Sequence, residues 1–210
     1  LDRDARIKLS IGTKNGGRLD GQFYSPIYLV FDPHRDLLFV ADTGNSRVQV
    51  LSCDDDRAYD RGPYASKFGG LYGSNPYGIA IDHDQYRILV VDSGNNQVQS
   101  WHLSYQSLLS CIGEQGSGDL EFNGPRGIAI DKHHRRIIIT DTNNHRLVFL
   151  SSIDLSFLFS VVCNQGSRPG QLFYPMGIAI DDDRHRIAVS DSRNHRVQVL
   201  SLIDGSFLFE

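Results

Sequence analysis

The chain has 210 residues, 40% of them hydrophobic and 22% charged, which excludes a disordered chain and supplies enough apolar surface for a real core. Its 25 acidic and 21 basic residues leave a formal charge of -4, so no strong global field draws it to nucleic acid or to an anionic membrane, and any such affinity has to be local. Cys53, Cys111 and Cys163 fall at unrelated points, which predicts free thiols in a reducing, cytoplasmic setting, and no apolar run is long enough to span a membrane.

In chain order, residues 5–11 read as an outer strand of a preceding unit, and from there one pattern recurs four times. Pro26, Pro76, Pro125 and Pro175 each precede an apolar run. Asp32, Asp82, Asp131 and Asp181 close that run, Asp42, Asp92, Asp141 and Asp191 close the next, and Asn45, Asn95, Asn144 and Asn194 follow three residues later. Steps of about 50 residues place the repeats at 22–70, 71–119, 120–169 and 170–210. The first runs, such as Gly127 to Ile130, and the second, such as Ile137 to Ile139, are short and β-branched. They predict strands covered on both faces. A third run alternates, as in Val48-Gln49-Val50 and Val197-Gln198-Val199, and is expected nearer the surface; a fourth is visible at 108–112 and 157–162. No unit holds a Gly- and Pro-free amphipathic helix, so a (β/α)₈ barrel is excluded. Four strands per unit, repeated at this period, predict an all-β propeller of four-stranded antiparallel blades.

The blade motif is P-x-G-I-A-I-D followed by D-[ST]-x-N-x-[RQ]-[VL], best seen from Pro125 to Asp131 with Asp141 to Leu147, and from Pro175 to Asp181 with Asp191 to Val197. It resembles the NHL repeat across residues 22–203. Within that family the spacing, with Gly21-Gln22-Phe23 and Glu121-Phe122, is most similar to the propellers that end tripartite-motif RING-type ubiquitin ligases. The resemblance implies a six-bladed ring of which these repeats form part. It also implies a face that reads protein partners or single-stranded RNA.

The Asp and Asn at the end of the second strand suit turn chemistry, with Asp accepting backbone N–H groups and Asn adopting the left-handed conformation, and are expected to be structural. Arg47, Arg146 and Arg196, replaced by Gln97 in the second repeat, are expected to tie one blade to the next. His34, His83, His133, His134 and His185 fall in the turn after the first strand. Turns of adjacent blades are expected to lie too far apart to share a metal ion, so neither metal nor other cofactor is expected. The first strands, which line the channel of a propeller, carry no acid, His or Cys, so no catalytic residue is assigned and no small-molecule substrate is evident.

Binding is the expected role. The candidate face holds Ile27, Tyr77, Arg126 and Met176, each the x of its P-x-G (in the first repeat Tyr28 replaces the Gly), with Lys14, Arg18, Arg168 and Tyr174 beside them. Aromatics interleaved with Arg suit a peptide or stacked bases. A protein partner is preferred over RNA because Asp20, Asp119 and Glu121 share these loops. The reading is a non-catalytic interaction scaffold, the partner-recognition module of a RING-type ligase-like protein. An RNA-binding propeller, or a lyase or hydrolase with its site on blades outside this chain, are the alternatives.

Overall fold

The computed structural model describes residues 11–53, 64–70, 73–162 and 165–210. Most of the strand expected over 5–11, along with Tyr72 and Cys163, lies outside the described residues. Each repeat folds into one antiparallel sheet whose strand order follows the chain. Blade 1 comprises β1 (Pro26–Asp32), β2 (Leu37–Asp42), β3 (Arg47–Ser52) and β4 (Tyr64–Gly69), and blade 2 comprises β5 (Pro76–Asp82), β6 (Arg87–Asp92), β7 (Gln97–His102) and β8 (Leu108–Ile112). A loop bearing the short parallel pair β9 (Glu114–Gln115) and β10 (Glu121–Phe122) leads into blade 3, formed by β11 (Pro125–Asp131), β12 (Arg136–Asp141), β13 (Arg146–Ser151) and β14 (Phe157–Val162). Blade 4 comprises β15 (Pro175–Asp181), β16 (Arg186–Asp191), β17 (Arg196–Ser201) and β18 (Phe207–Phe209).

The expected six-bladed ring is not what is observed: the chain makes four blades. Each repeat supplies all four strands of its own sheet, so the blade count equals the repeat count. The innermost strands β1, β5, β11 and β15 lie side by side in sequence order around the centre.

Apolar packing between neighbouring sheets makes the core. Phe39, Val50 and Phe68 of blade 1 meet Ile79, Ile88 and Trp101 of blade 2; Leu89 and Val98 of blade 2 meet Ile128, Ile137 and Ile139 of blade 3. Leu147 and Phe149 of blade 3 meet Ile178, Ile187 and Leu200 of blade 4. β6 and β12 are buried along their whole length, as an unbroken apolar strand requires, and each large side chain so buried contributes about 1.5–3 kcal/mol. The outward flank of blade 1 is different. Leu29 and Phe31 of blade 1 are 61% and 46% exposed, whereas Ile128, at the position of Leu29 in blade 3, is 2% exposed.

The third strand is drier than its alternation suggested. Gln49 and Gln198 are fully buried, because each amide finds polar partners inside the blade: Gln49 Nε2 donates to Asp42 Oδ2 at 3.0 Å and to the Gln22 carbonyl at 2.6 Å, and Gln198 Nε2 donates to Asp191 Oδ2 at 3.0 Å. A buried amide with its hydrogen bonds made carries little penalty, so polarity in a strand does not by itself mark a wet face.

Candidate functional site

The repeated polar residues form a clamp, and its geometry follows from register. The second and third strands pair so that Asp42 faces Arg47, Asp92 faces Gln97, Asp141 faces Arg146 and Asp191 faces Arg196. All four Asp are fully buried. Instead of capping the turn that follows, Oδ1 chiefly accepts a backbone N–H from the loop that brings the chain into the blade: Tyr24 at 2.7 Å, Asn75 at 2.9 Å, Asn123 at 2.8 Å and Phe173 at 2.6 Å. Oδ2 accepts Nδ2 of Asn45, Asn95, Asn144 and Asn194 at 2.8–2.9 Å, and Nε of Arg47, Arg146 and Arg196 at 2.8 Å. The left-handed residue of the turn is not the Asn but the next one, Ser46, Asn96, His145 or His195.

Those three arginines hold the incoming loop of their own blade. Arg146 donates to the carbonyls of Ser117, Gly118 and Glu121, and Arg196 to those of Arg168 and Gln171. Tying to the next blade falls to Arg87 and Arg136, which the sequence reading passed over: Arg87 Nη2 donates to the Ser152 carbonyl of blade 3, and Arg136 Nη1 to the Ile203 carbonyl of blade 4 at 3.0 Å. Each also pairs with the Asp ending the first strand, Arg87 Nε to Asp82 at 3.1 Å and Arg136 Nε to Asp131 at 3.0 Å. Recurrence of Arg at 87, 136 and 186 was the available signal.

The turns at the other end of the sheets come closer than expected. The rings of His34 and His83 lie 4.8 Å apart, and those of His133 and His185 lie 5.6 Å apart, each pair spanning two blades. Among the described residues no three His, Cys, Asp or Glu side chains converge on a metal position.

At the channel mouth the four x residues meet. Ile27, Tyr77, Arg126 and Met176 line one cavity of about 310 Å³ together with Tyr28, Gly78, Gly127 and Gly177. Strand pairing is irregular between Pro and the third residue after it in blades 2, 3 and 4, and between Pro26 and Tyr28 in blade 1, which lifts this segment out of the ladder. Neighbouring blades then approach backbone to backbone: a Cβ on Gly78 would stand 2.5 Å from the Arg126 carbonyl oxygen, and one on Gly127 2.3 Å from that of Met176. Glycine is required there by space. The Arg126 guanidinium lies over the Tyr77 ring, 4.9 Å from its centroid, and its Nη1 sits 3.4 Å from Met176 Sδ.

The other candidate residues lie apart from this cavity. Lys14 lines a separate hollow with Phe23 and Tyr24, Arg18 lines another beside Asn45 and Arg47, and Arg168 is exposed on its loop. Tyr174 belongs to a cluster with His145, whose ring centroid is 4.9 Å away, and with Arg193 at 5.3 Å. Of the acids in these loops, Asp20 pairs with Lys67 at 2.5 Å, and Glu121 accepts the Ser117 and Gly118 N–H groups of its own loop at 2.9 and 2.8 Å.

The NHL repeat family model matches residues 122–148 and 174–200, within blades 3 and 4, so the chain carries NHL repeats on a β-propeller. No curated protein matches the chain in sequence. Among solved structures it is similar to Kuenenia stuttgartiensis hydrazine synthase, with a TM-score of 0.67 at 13% identity over 94% of this chain and 51% of that one. It is also similar to a chain of a nidogen/laminin complex, with a TM-score of 0.66 at 18% identity over 91% of this chain and 70% of that one. This chain thus spans about half the length of the hydrazine synthase chain, and at these identities the likeness is one of fold.

Proposed function

We propose that this propeller is a non-catalytic interaction module that takes a protein partner at the channel mouth, as the recognition part of a cytoplasmic, RING-type ligase-like protein. The observation that supports it is the gathering of Ile27, Tyr77, Arg126 and Met176 in one cavity. The blade scaffold beside them is nearly invariant, yet these four side chains differ in size, charge and polarity. A repeat protein diversifies a recognition surface in this way without altering its core. The polar groups that could suggest chemistry are already committed: the buried Asp of every blade is fully engaged in its clamp. A protein partner is favoured over RNA because the mouth itself carries one cation, whereas a nucleic-acid strand is held by several.

The test is site-directed photo-crosslinking. Benzoylphenylalanine is placed at position 77 in one protein and at position 135, on the opposite rim, in another, and both are irradiated in cell extract. The proposal expects adducts from position 77 that resist nuclease, are made of protein, and disappear when Arg126→Glu is added. Adducts that form equally from position 135, or that vanish on nuclease treatment, overturn it.

A further inference from the structure

We infer that the channel mouth is a carboxylate site: Arg126 receives the single carboxylate of an apolar residue, as at the C-terminus of a peptide or on an acidic side chain, while Tyr77, Tyr28, Ile27 and Met176 hold the apolar part. This rests on the reading of the mouth as the ligand face and gives that face its chemistry.

Arg47, Arg87, Arg136, Arg146 and Arg196 each form an ion pair with an Asp of their own blade. Arg126 has no carboxylate partner among the described residues. Its Nε is buried and has no hydrogen-bond partner, and Nη1 meets only the thioether of Met176, a weak acceptor. The Tyr77 ring beneath its central carbon attracts the cation but satisfies no N–H. A guanidinium whose donors are left unpaired in a partly buried place is costly to maintain, and a group that accepts from the open edge of the fork lowers that cost.

The walls decide which anion. Two of the glycine N–H groups that line the cavity are already used: that of Gly127 is given to Thr140 Oγ1 at 2.7 Å and that of Gly177 to Ser190 Oγ at 2.7 Å. A phosphate, with three strong acceptor oxygens and up to two charges, finds a single guanidinium. A carboxylate needs only the two parallel N–H groups of one fork, and its apolar neighbour finds aromatic and aliphatic walls. At about 310 Å³ the cavity is at the small end of ligand sites and admits about one residue.

The experiment uses N-acetyl-leucine, N-acetyl-leucinamide and phenyl phosphate as probes of the ¹⁵N-labelled chain, reading the amide signals of Gly78, Gly127 and Gly177. The acid is expected to shift these signals saturably and to bind at least about tenfold more tightly than the amide, a difference that Arg126→Gln removes and Arg126→Lys only partly restores. Acid and amide binding equally at these glycines would overturn the carboxylate inference and leave the mouth standing as a ligand face. Tighter binding of phenyl phosphate would overturn it in favour of a phosphate ligand. No response at these glycines to any probe would remove both the inference and the reading beneath it.

Discussion

At the residue scale each blade is organised around the buried carboxylate that ends its second strand. Burial pushes the Asp141 carboxyl above its ordinary value, and the Asn123 N–H, Asn144 and Arg146 only partly offset this. Asp141→Ala leaves Arg146, Asn144 and the Asn123 N–H without their acceptor. It should cost about 3–5 kcal/mol by urea unfolding, part of it recovered when Arg146→Met is added, because the unpaired cation is then gone. An unchanged midpoint would contradict the clamp. Asp131 behaves oppositely: burial raises its carboxyl, but the His134 N–H and ring and the Arg136 guanidinium outweigh this and hold it below its ordinary 3.8. The unfolded chain then binds the proton more readily, so stability from Asp131 is present above that value and is lost as pH falls through the lower folded one. Between about pH 4 and about pH 2 the wild type should lose more stability than Asp131→Asn; parallel curves would contradict this. The spacing showed which residues recur, but not their partners. The Asp acceptor sites are filled from a loop 17 or 18 residues upstream, a contact that turn chemistry does not reach.

At the element scale, blades are joined by apolar faces and by a few polar ties. Strand number, order and the dry second strand were legible because β-branched runs bounded by Pro, Asp and Gly allow little else. The inter-blade arginines were not, because an Arg beside an Asp in sequence looks the same whether its remaining donors reach its own loop or the next blade. Arg136 makes its tie to blade 4, while Arg186, at the same position of the last blade, lies over the Phe209 ring of its own sheet at 5.3 Å. Arg136→Ala should therefore destabilise by about 2–3 kcal/mol and raise amide exchange in blade 4, with Arg186→Ala within about 0.5 kcal/mol of wild type. Equal effects would mean that the tie contributes nothing beyond its own blade. The same contrast holds at the mouth: Gly127→Ala meets the Met176 carbonyl oxygen at 2.3 Å, whereas a Cβ at Gly177 has nothing nearer than Ser190 Oγ at 3.3 Å. The first substitution forces two strands apart and the second is accommodated.

At the scale of the whole molecule, four blades present one mouth, and the first blade leaves its outward flank uncovered. Leu29 and Ile128 occupy equivalent positions, but only Ile128 is covered by a neighbouring sheet. Ile128→Asp should cost more than about 4 kcal/mol and Leu29→Asp less than about 1 kcal/mol, measured by denaturant midpoints. A large cost at both would show that the first blade is packed as the third is. Blade number was the part of the architecture that the repeat pattern could not extend by resemblance: counting sheets gives four. The convergence of the four x residues was legible, since Pro opens the segment in every blade and Gly follows x in three of them, whereas the absence of Lys14, Arg18, Arg168 and Tyr174 from the lining of that cavity depends on loop paths that local sequence leaves open. If this mouth is the ligand face, two double variants differ in their affinity for the partner crosslinked through position 77. Tyr77→Ala with Arg126→Glu should weaken binding by at least about a hundredfold, while Arg135→Glu with His185→Ala on the opposite rim should stay within about twofold of wild type. Loss of binding in the rim variant with the mouth variant unaffected would contradict it.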